Sequence, residues 1–172
     1  MATEDKSKAK EMSMRKFVMV AVILVSVTLV MALQGGVDGS GDQAAIEKAV
    51  LEANTRMTQA EKSLDADRLL AFILDSDKGP IIQDGRLFKT RTEALETIRA
   101  GFQGIAKIDR QYDQTYVTVL SPETALLTGT GSSTATLADG RALSRPFAVS
   151  LVFVLRDGRW KVLQGHYSTP NP

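Results

Sequence analysis

Three of the four Asp-Gly dipeptides, Asp84-Gly85, Asp139-Gly140 and Asp157-Gly158, constrain this chain more than any other feature. Asp-Gly is favoured where turn residues take positive φ, as tight hairpins require. The last two separate the runs that follow Thr124, and Ser121-Pro122-Glu123 supplies another reversal. Ile105 to Leu120, Thr124 to Thr136, Phe147 to Leu155 and Gly158 to Ser168 then read as strands joined by antiparallel hairpins, not by parallel crossovers. Gly129 and Gly131 relax one of these strands and permit bending.

Upstream of the strands the period changes. Ile46, Val50, Ala53, Met57, Ala60 and Leu64 recur at steps of three and four, the stripe of an amphipathic helix that Ser40 or Asp42 can cap. Asp65 is an N-cap for a shorter helix carrying Leu69, Leu70, Phe72 and Ile73. Pro80-Ile81-Ile82 and Leu87-Phe88 read as two brief strands around Asp84-Gly85. Thr90 to Glu93 is a capping box, with Leu95, Ile98 and Phe102 as the buried stripe of a third helix. Helices followed by a meander predict an α+β domain, a curved antiparallel sheet wrapped around three helices.

The front of the chain is different. Residues 1–16 are polar and carry Lys6, Lys8, Lys10, Arg15 and Lys16, a basic n-region. Residues 17–33 contain no charge, and only Ser26 and Thr28 interrupt them as polar residues. This stretch is expected to be a hydrophobic helix, either a membrane anchor or the h-region of a cleaved signal. The flanking basic residues predict that the N-terminus stays inside and the domain lies outside, tethered or secreted. Residues 34–41, rich in glycine, are expected to be a flexible linker, and 42–172 the domain.

Composition removes several function classes. There is no cysteine, hence no disulfide, thiol nucleophile or cysteine-ligated metal. Five of the 21 basic and three of the 20 acidic residues precede Gln34, leaving a nearly neutral domain of 16 against 17. No basic stripe interleaved with aromatics is present, so nucleic acid is not an expected partner. One histidine without clustered carboxylates predicts no metal site, and no cofactor is implied. The run Phe147 to Leu155 is apolar on both parities, which predicts a covered second face and a homodimer packed through the sheet.

The final strand holds the only Trp and the only His. Strict alternation places Trp160, Val162, Gln164 and His166 on one face, as in a pocket wall or around a satisfied core histidine. Tyr112 and Tyr116 share a parity in an earlier strand and are candidates for lining a cavity or pairing across the sheet surface.

The order of helix, short helix, small hairpin, helix and long meander resembles the nuclear-transport-factor-2-like, or SnoaL-like, family. Ser63 to Asp67, Thr124 to Gly131 and Gly158 to Leu163 carry the resemblance, with His166 and Ser168, over about residues 43–170. Relatives include the calcium/calmodulin-dependent kinase II association domain and the ketosteroid isomerases. The resemblance implies a cystatin-like cone with a small, mainly apolar ligand between helices and sheet. It also implies His166 or Asp84 as a general base, if the domain is an isomerase, dehydratase or hydrolase. Relatives often place two histidines in the last strand, and here the first such position is Gln164. Trp160, Gln164, Tyr112 and Tyr116 are the expected ligand-binding residues. A purely oligomerising domain is the remaining reading.

Overall fold

The computed structural model describes residues 39–170. Helix α1 spans Gly39–Glu61, and a short α2 spans Ala66–Leu70. The hairpin β1 (Ile81–Gln83) and β2 (Arg86–Phe88) leads into α3 (Arg91–Phe102). Four longer strands follow: β3 (Ile105–Ser121), β4 (Thr124–Leu137), β5 (Ala142–Arg156) and β6 (Arg159–Ser168). Helix α1 reaches back to Gly39, into the stretch expected to be linker. The hydrophobic stretch 17–33 and the basic residues before it lie outside the described residues. Among the described residues no helix is long and apolar enough to cross a membrane.

Two of the caps expected from sequence are in place, whereas Ser40 and Asp42 lie inside the first turn of α1, which starts at Gly39, and do not cap it. The Asp65 side chain accepts from the Arg68 N–H, and Thr90 from the Glu93 N–H. Glu93 in turn accepts from the Lys89 N–H at 2.9 Å. The first two bonds satisfy donors that a helix start leaves without intrahelical partners, and the third ties the residue before the cap to the first turn. At Asp84-Gly85 and Asp157-Gly158 both residues have positive φ, as a two-residue hairpin turn needs.

The six strands form one sheet in the order β2-β1-β6-β5-β4-β3. It is a mixed sheet, which corrects the all-antiparallel expectation. The four long strands form the predicted antiparallel meander, but β1 pairs with β6 in parallel, from Ile81 opposite Gly165 to Gln83 opposite Tyr167. The chain between α2 and β1 also runs along β6, where Val162 exchanges backbone hydrogen bonds with Phe72 and Leu74, both 2.8 Å. Hairpin turns are local, so their residues are legible in sequence. The parallel ladder joins segments about eighty positions apart and has no local signal.

The core lies between the helices and one face of the sheet. Val50, Ala53 and Met57 of α1, Leu70 of α2 and Ala94 of α3 pack against Leu127, Val149, Leu151, Phe153 and Val162. Burial of each large apolar side chain is worth about 1.5–3 kcal/mol relative to exposure. Helices covering one sheet face leave the other strand parity free, the general α+β solution.

Two bulges decide which residues face this core. In β3, Tyr112 pairs with Gly131 and Gln114 with Thr130, so Asp113 is the extra residue. In β6, Val162 pairs with Phe153 and Gln164 with Val152, so Leu163 is the extra residue. Each bulge shifts the alternation by one.

Candidate functional site

A cavity of about 480 Å³ lies between the helices and the inner face of the sheet. Leu69, Phe88, Ile98, Phe102, Ile105, Ile108 and Phe147 make much of its wall. Its polar wall is built from the end of α1 and from three adjacent strands.

The strands bring cross-strand rows to the cavity. Ile108, Ala135 and Leu143 are partners in one row, and Arg110, Ser133 and Arg145 in the next. All six line the cavity. The third row is Tyr112, Gly131 and Phe147. With no side chain on Gly131, Tyr112 meets Phe147 edge-on, 5.2 Å between ring centroids.

Glu61, the last residue of α1, receives a hydrogen bond from Arg110 at 2.8 Å. Their side chains are 13% and 19% exposed, the most enclosed ion pair among the described residues. The Arg110 guanidinium also lies over the rings of Phe147, at 5.0 Å, and Tyr167, at 5.6 Å. A weakly hydrated planar cation is well suited to that aromatic enclosure. Burial pushes the Glu61 carboxyl up from its ordinary range, and the Arg110 charge opposes that only in part. Burial likewise raises both Tyr112 and Tyr167, against the pull of Arg110. The two phenols are therefore neutral at physiological pH. The Tyr112 hydroxyl donates to Asn54 Oδ1 at 3.4 Å, and Asn54, 4% exposed, is a polar side chain within the helix stripe.

The residues expected from sequence divide between the two faces. Trp160 and Val162 point inward, with Trp160 packed on the core and away from the cavity lining. Beyond the Leu163 bulge, Gly165 and Tyr167 take the inward positions, so Gln164 and His166 fall on the outer face. His166 is exposed and pairs across β5 with Ser150, which corrects the single-face expectation for this strand. Tyr112 and Tyr116 are separated in the same way by the Asp113 bulge. Tyr112 is inward, whereas Tyr116 is 64% exposed on the outer face.

Asp84 reaches the cavity edge, held in the hairpin turn. Its Oδ1 accepts from the Thr169 backbone N–H at 2.8 Å and from the Thr169 hydroxyl at 3.0 Å. The carboxylate thereby fastens the chain end to the turn.

Sequence reasoning missed Glu61, Arg110, Arg145, Asn54 and Tyr167. Two signals were present: Glu61 stands four positions after Met57 on the apolar stripe, and Arg110 stands two before Tyr112 on one strand face. Among the described residues no three His, Asp or Glu side chains stand close enough to hold a metal ion. The arrangement supplies an apolar chamber, a neutral phenol, an enclosed carboxyl and two cations. It can bind and orient a small molecule and can hold or transfer a proton at Glu61.

Residues 50–172 match the SnoaL-like domain family. No curated protein matches the sequence. Among solved structures, a nuclear transport factor 2 (NTF2-like) superfamily protein from Salmonella enterica serovar Typhimurium superposes with a TM-score of 0.68 at 16% identity, covering 76% of this chain and 94% of that one. A provisionally assigned dehydratase of the NTF2-like family from Streptomyces avermitilis gives 0.66 at 21% identity, covering 76% and 99%. A hexachlorocyclohexane dehydrochlorinase, LinA type 2, gives 0.62 at 12% identity, covering 77% and 90%. At these identities the likeness is one of fold.

Proposed function

This chain belongs to the SnoaL-like domain family, and on that premise we propose that it binds a small, mainly apolar molecule in the cavity between its helices and its sheet. The fold hosts many activities, so the reading rests on the site. The observation that carries it is the cavity itself: about 480 Å³, walled mostly by apolar side chains, with a few convergent polar groups around Glu61 and Arg110. That combination is the usual form of a small-molecule site. A purely oligomerising domain would have no need of such a volume, and filling it with side chains would add to stability. The test is binding of the neutral fluorophore N-phenyl-1-naphthylamine to the full chain. Ala135→Phe, which places a ring in the chamber, is expected to abolish the signal. Unchanged binding in that variant would sink the pocket as the site.

A second reading, an isomerase or dehydratase, is favoured by one observation. Glu61 is an enclosed carboxyl facing the cavity, and burial raises it above the ordinary carboxylate range, the direction in which catalytic carboxyls are tuned. His166 on the outer face and Asp84 on Thr169 are less suited to the role of base that the family resemblance implies for them. Glu61→Gln should then abolish turnover in a substrate screen while keeping dye binding. Turnover that survives the substitution would remove Glu61 from the chemistry.

The context remains part of the proposal. Residues 17–33 would hold the domain at, or deliver it across, a membrane, with the domain outside. The outer sheet face, with Tyr116 exposed beside Leu126 and Val152, would pair with a second copy. Light scattering on the full chain tests the dimer, and a monomer at high micromolar concentration would count against it.

A further inference from the structure

Arg110, Ser133 and Arg145 are aligned across three neighbouring strands, and all three line the cavity. Adjacent strands are about 4.8 Å apart, so the two arginine backbones lie about 10 Å apart with the serine midway. Arginine side chains of that length can converge over the hydroxyl between them. The charges of this row are not equally compensated. Glu61 neutralises Arg110, whereas Arg145 makes no ion pair among the described residues. The Nε of Arg110 is buried without a hydrogen-bond partner. Arg145 is exposed at the cavity rim, on the part of β5 that extends past the end of β6, whose last partner pair is Ala148 and Ser168. The other carboxylate on the lining, Asp84, spends its Oδ1 on Thr169.

We propose that the molecule taken into this cavity is an organic acid, with its apolar body against the Ile108–Ala135–Leu143 row and its carboxylate at Ser133 between the two arginines. The proposal rests on the pocket reading above and adds the chemical class of the ligand. One carboxylate matches one uncompensated guanidinium, and Arg145 can grip it through two parallel N–H donors. A phosphate dianion fits less well, because its second charge would stand near Glu61. An apolar ligand without an acid group would leave Arg145 paired with solvent alone and gain nothing from it.

The experiment uses two dyes with the same ring skeleton, the monoanion 8-anilinonaphthalene-1-sulfonate and the neutral N-phenyl-1-naphthylamine, titrated into the full chain. Arg145→Gln should weaken the anionic dye by about tenfold or more, the scale of one hydrogen-bonded charge. It should leave the neutral dye within about twofold, since no charge is involved. Ser133→Ala should weaken the anionic dye less, and Arg159→Gln, away from the cavity, should change neither. Displacement of the anionic dye by 1-naphthaleneacetate should need far less compound than displacement by 1-naphthaleneacetamide. If Arg145→Gln leaves the anionic dye unchanged while the neutral dye still binds, the acid seat is wrong and the pocket stands. An equal loss of both dyes, or an amide as potent as the acid, also overturns the acid seat. Failure of both dyes to bind the unaltered chain removes the pocket and the acid seat together.

Discussion

The ring of Tyr112 stands edge-on to that of Phe147, with 5.2 Å between centroids and an interplanar angle of 89°. Their contact crosses Gly131, their shared partner in β4. A Cβ on Gly131 would run into the Gln111 carbonyl oxygen and lie 2.9 Å from the Phe147 ring and from the Tyr112 backbone. Two of these obstacles are backbone and cannot swing aside. Gly131→Ala should therefore destabilise the fold by about 3 kcal/mol, at the upper end of overpacking costs. Gly101→Ala has open space around it in α3 and should stabilise by up to about 1 kcal/mol through helix propensity. Thermal unfolding of the two variants should show shifts of opposite sign. Equal shifts would mean that Gly131 does not hold the aromatic row.

Glu61 and Arg110 should respond to pH in a defined direction. The folded-state pKa of Glu61 is raised above its ordinary value of 4.5, so the folded chain holds that proton more tightly than the unfolded one. Its contribution is full below 4.5 and is lost as pH rises through the raised folded value. The stability of the unaltered chain relative to Glu61→Gln should therefore be most favourable in acid and decline toward neutrality. Glu61→Ala, which strands the Arg110 charge, should cost about 3 kcal/mol at neutral pH. Urea unfolding of each variant from pH 4 to 8 reads both effects. A difference that grows with pH would show that Arg110 outweighs burial at Glu61.

The sheet shows where sequence was legible and where it was not. The capping boxes and turns are local, so Asp65, Thr90, Asp84-Gly85 and Asp157-Gly158 could be placed from residue type alone. The facing of side chains depends on an alternation that must be counted along a strand, and one extra residue inverts every position beyond it. Leu163 and Asp113 are such residues. Neither looks unusual, because bulge geometry is settled by the partner strand. Strict alternation therefore groups Tyr112 with Tyr116 and Trp160 with His166, and the two bulges part them. Glu61 and Arg110 are 49 positions apart, and only the packing of α1 over β3 brings them together.

Asp84 offers a contrast between two substitutions. It sits at φ 48° and accepts two hydrogen bonds from Thr169. Asn tolerates that backbone region and keeps an acceptor oxygen in the same place. Asp84→Asn should change stability by less than about 0.5 kcal/mol, whereas Asp84→Ala loses both bonds and should cost about 1–2 kcal/mol. Hydrogen exchange at the Thr169 amide should rise in the alanine variant alone. Faster exchange in both variants would show that the bond requires the charge.

Adjacent residues on β6 give the sharpest test of the bulge. Val149 of β5 faces Tyr167 on the inner side, and Ser150 faces His166 on the outer side. Gly165, one inward position earlier, leaves room for the Tyr167 ring, since a Cβ there would lie 3.0 Å from it. His166→Ala removes an exposed side chain with no hydrogen bond to the cavity wall. It should alter stability by less than about 0.5 kcal/mol and leave N-phenyl-1-naphthylamine binding unchanged. Tyr167→Ala removes a ring that lines the cavity and lies over Arg110, and should cost about 3 kcal/mol and weaken the dye. Tyr167→Phe keeps the ring and should behave much like the unaltered chain. If the histidine variant lost dye binding and the tyrosine variant kept it, the inward parity of β6 would run through to His166 and Leu163 would not be the inserted residue.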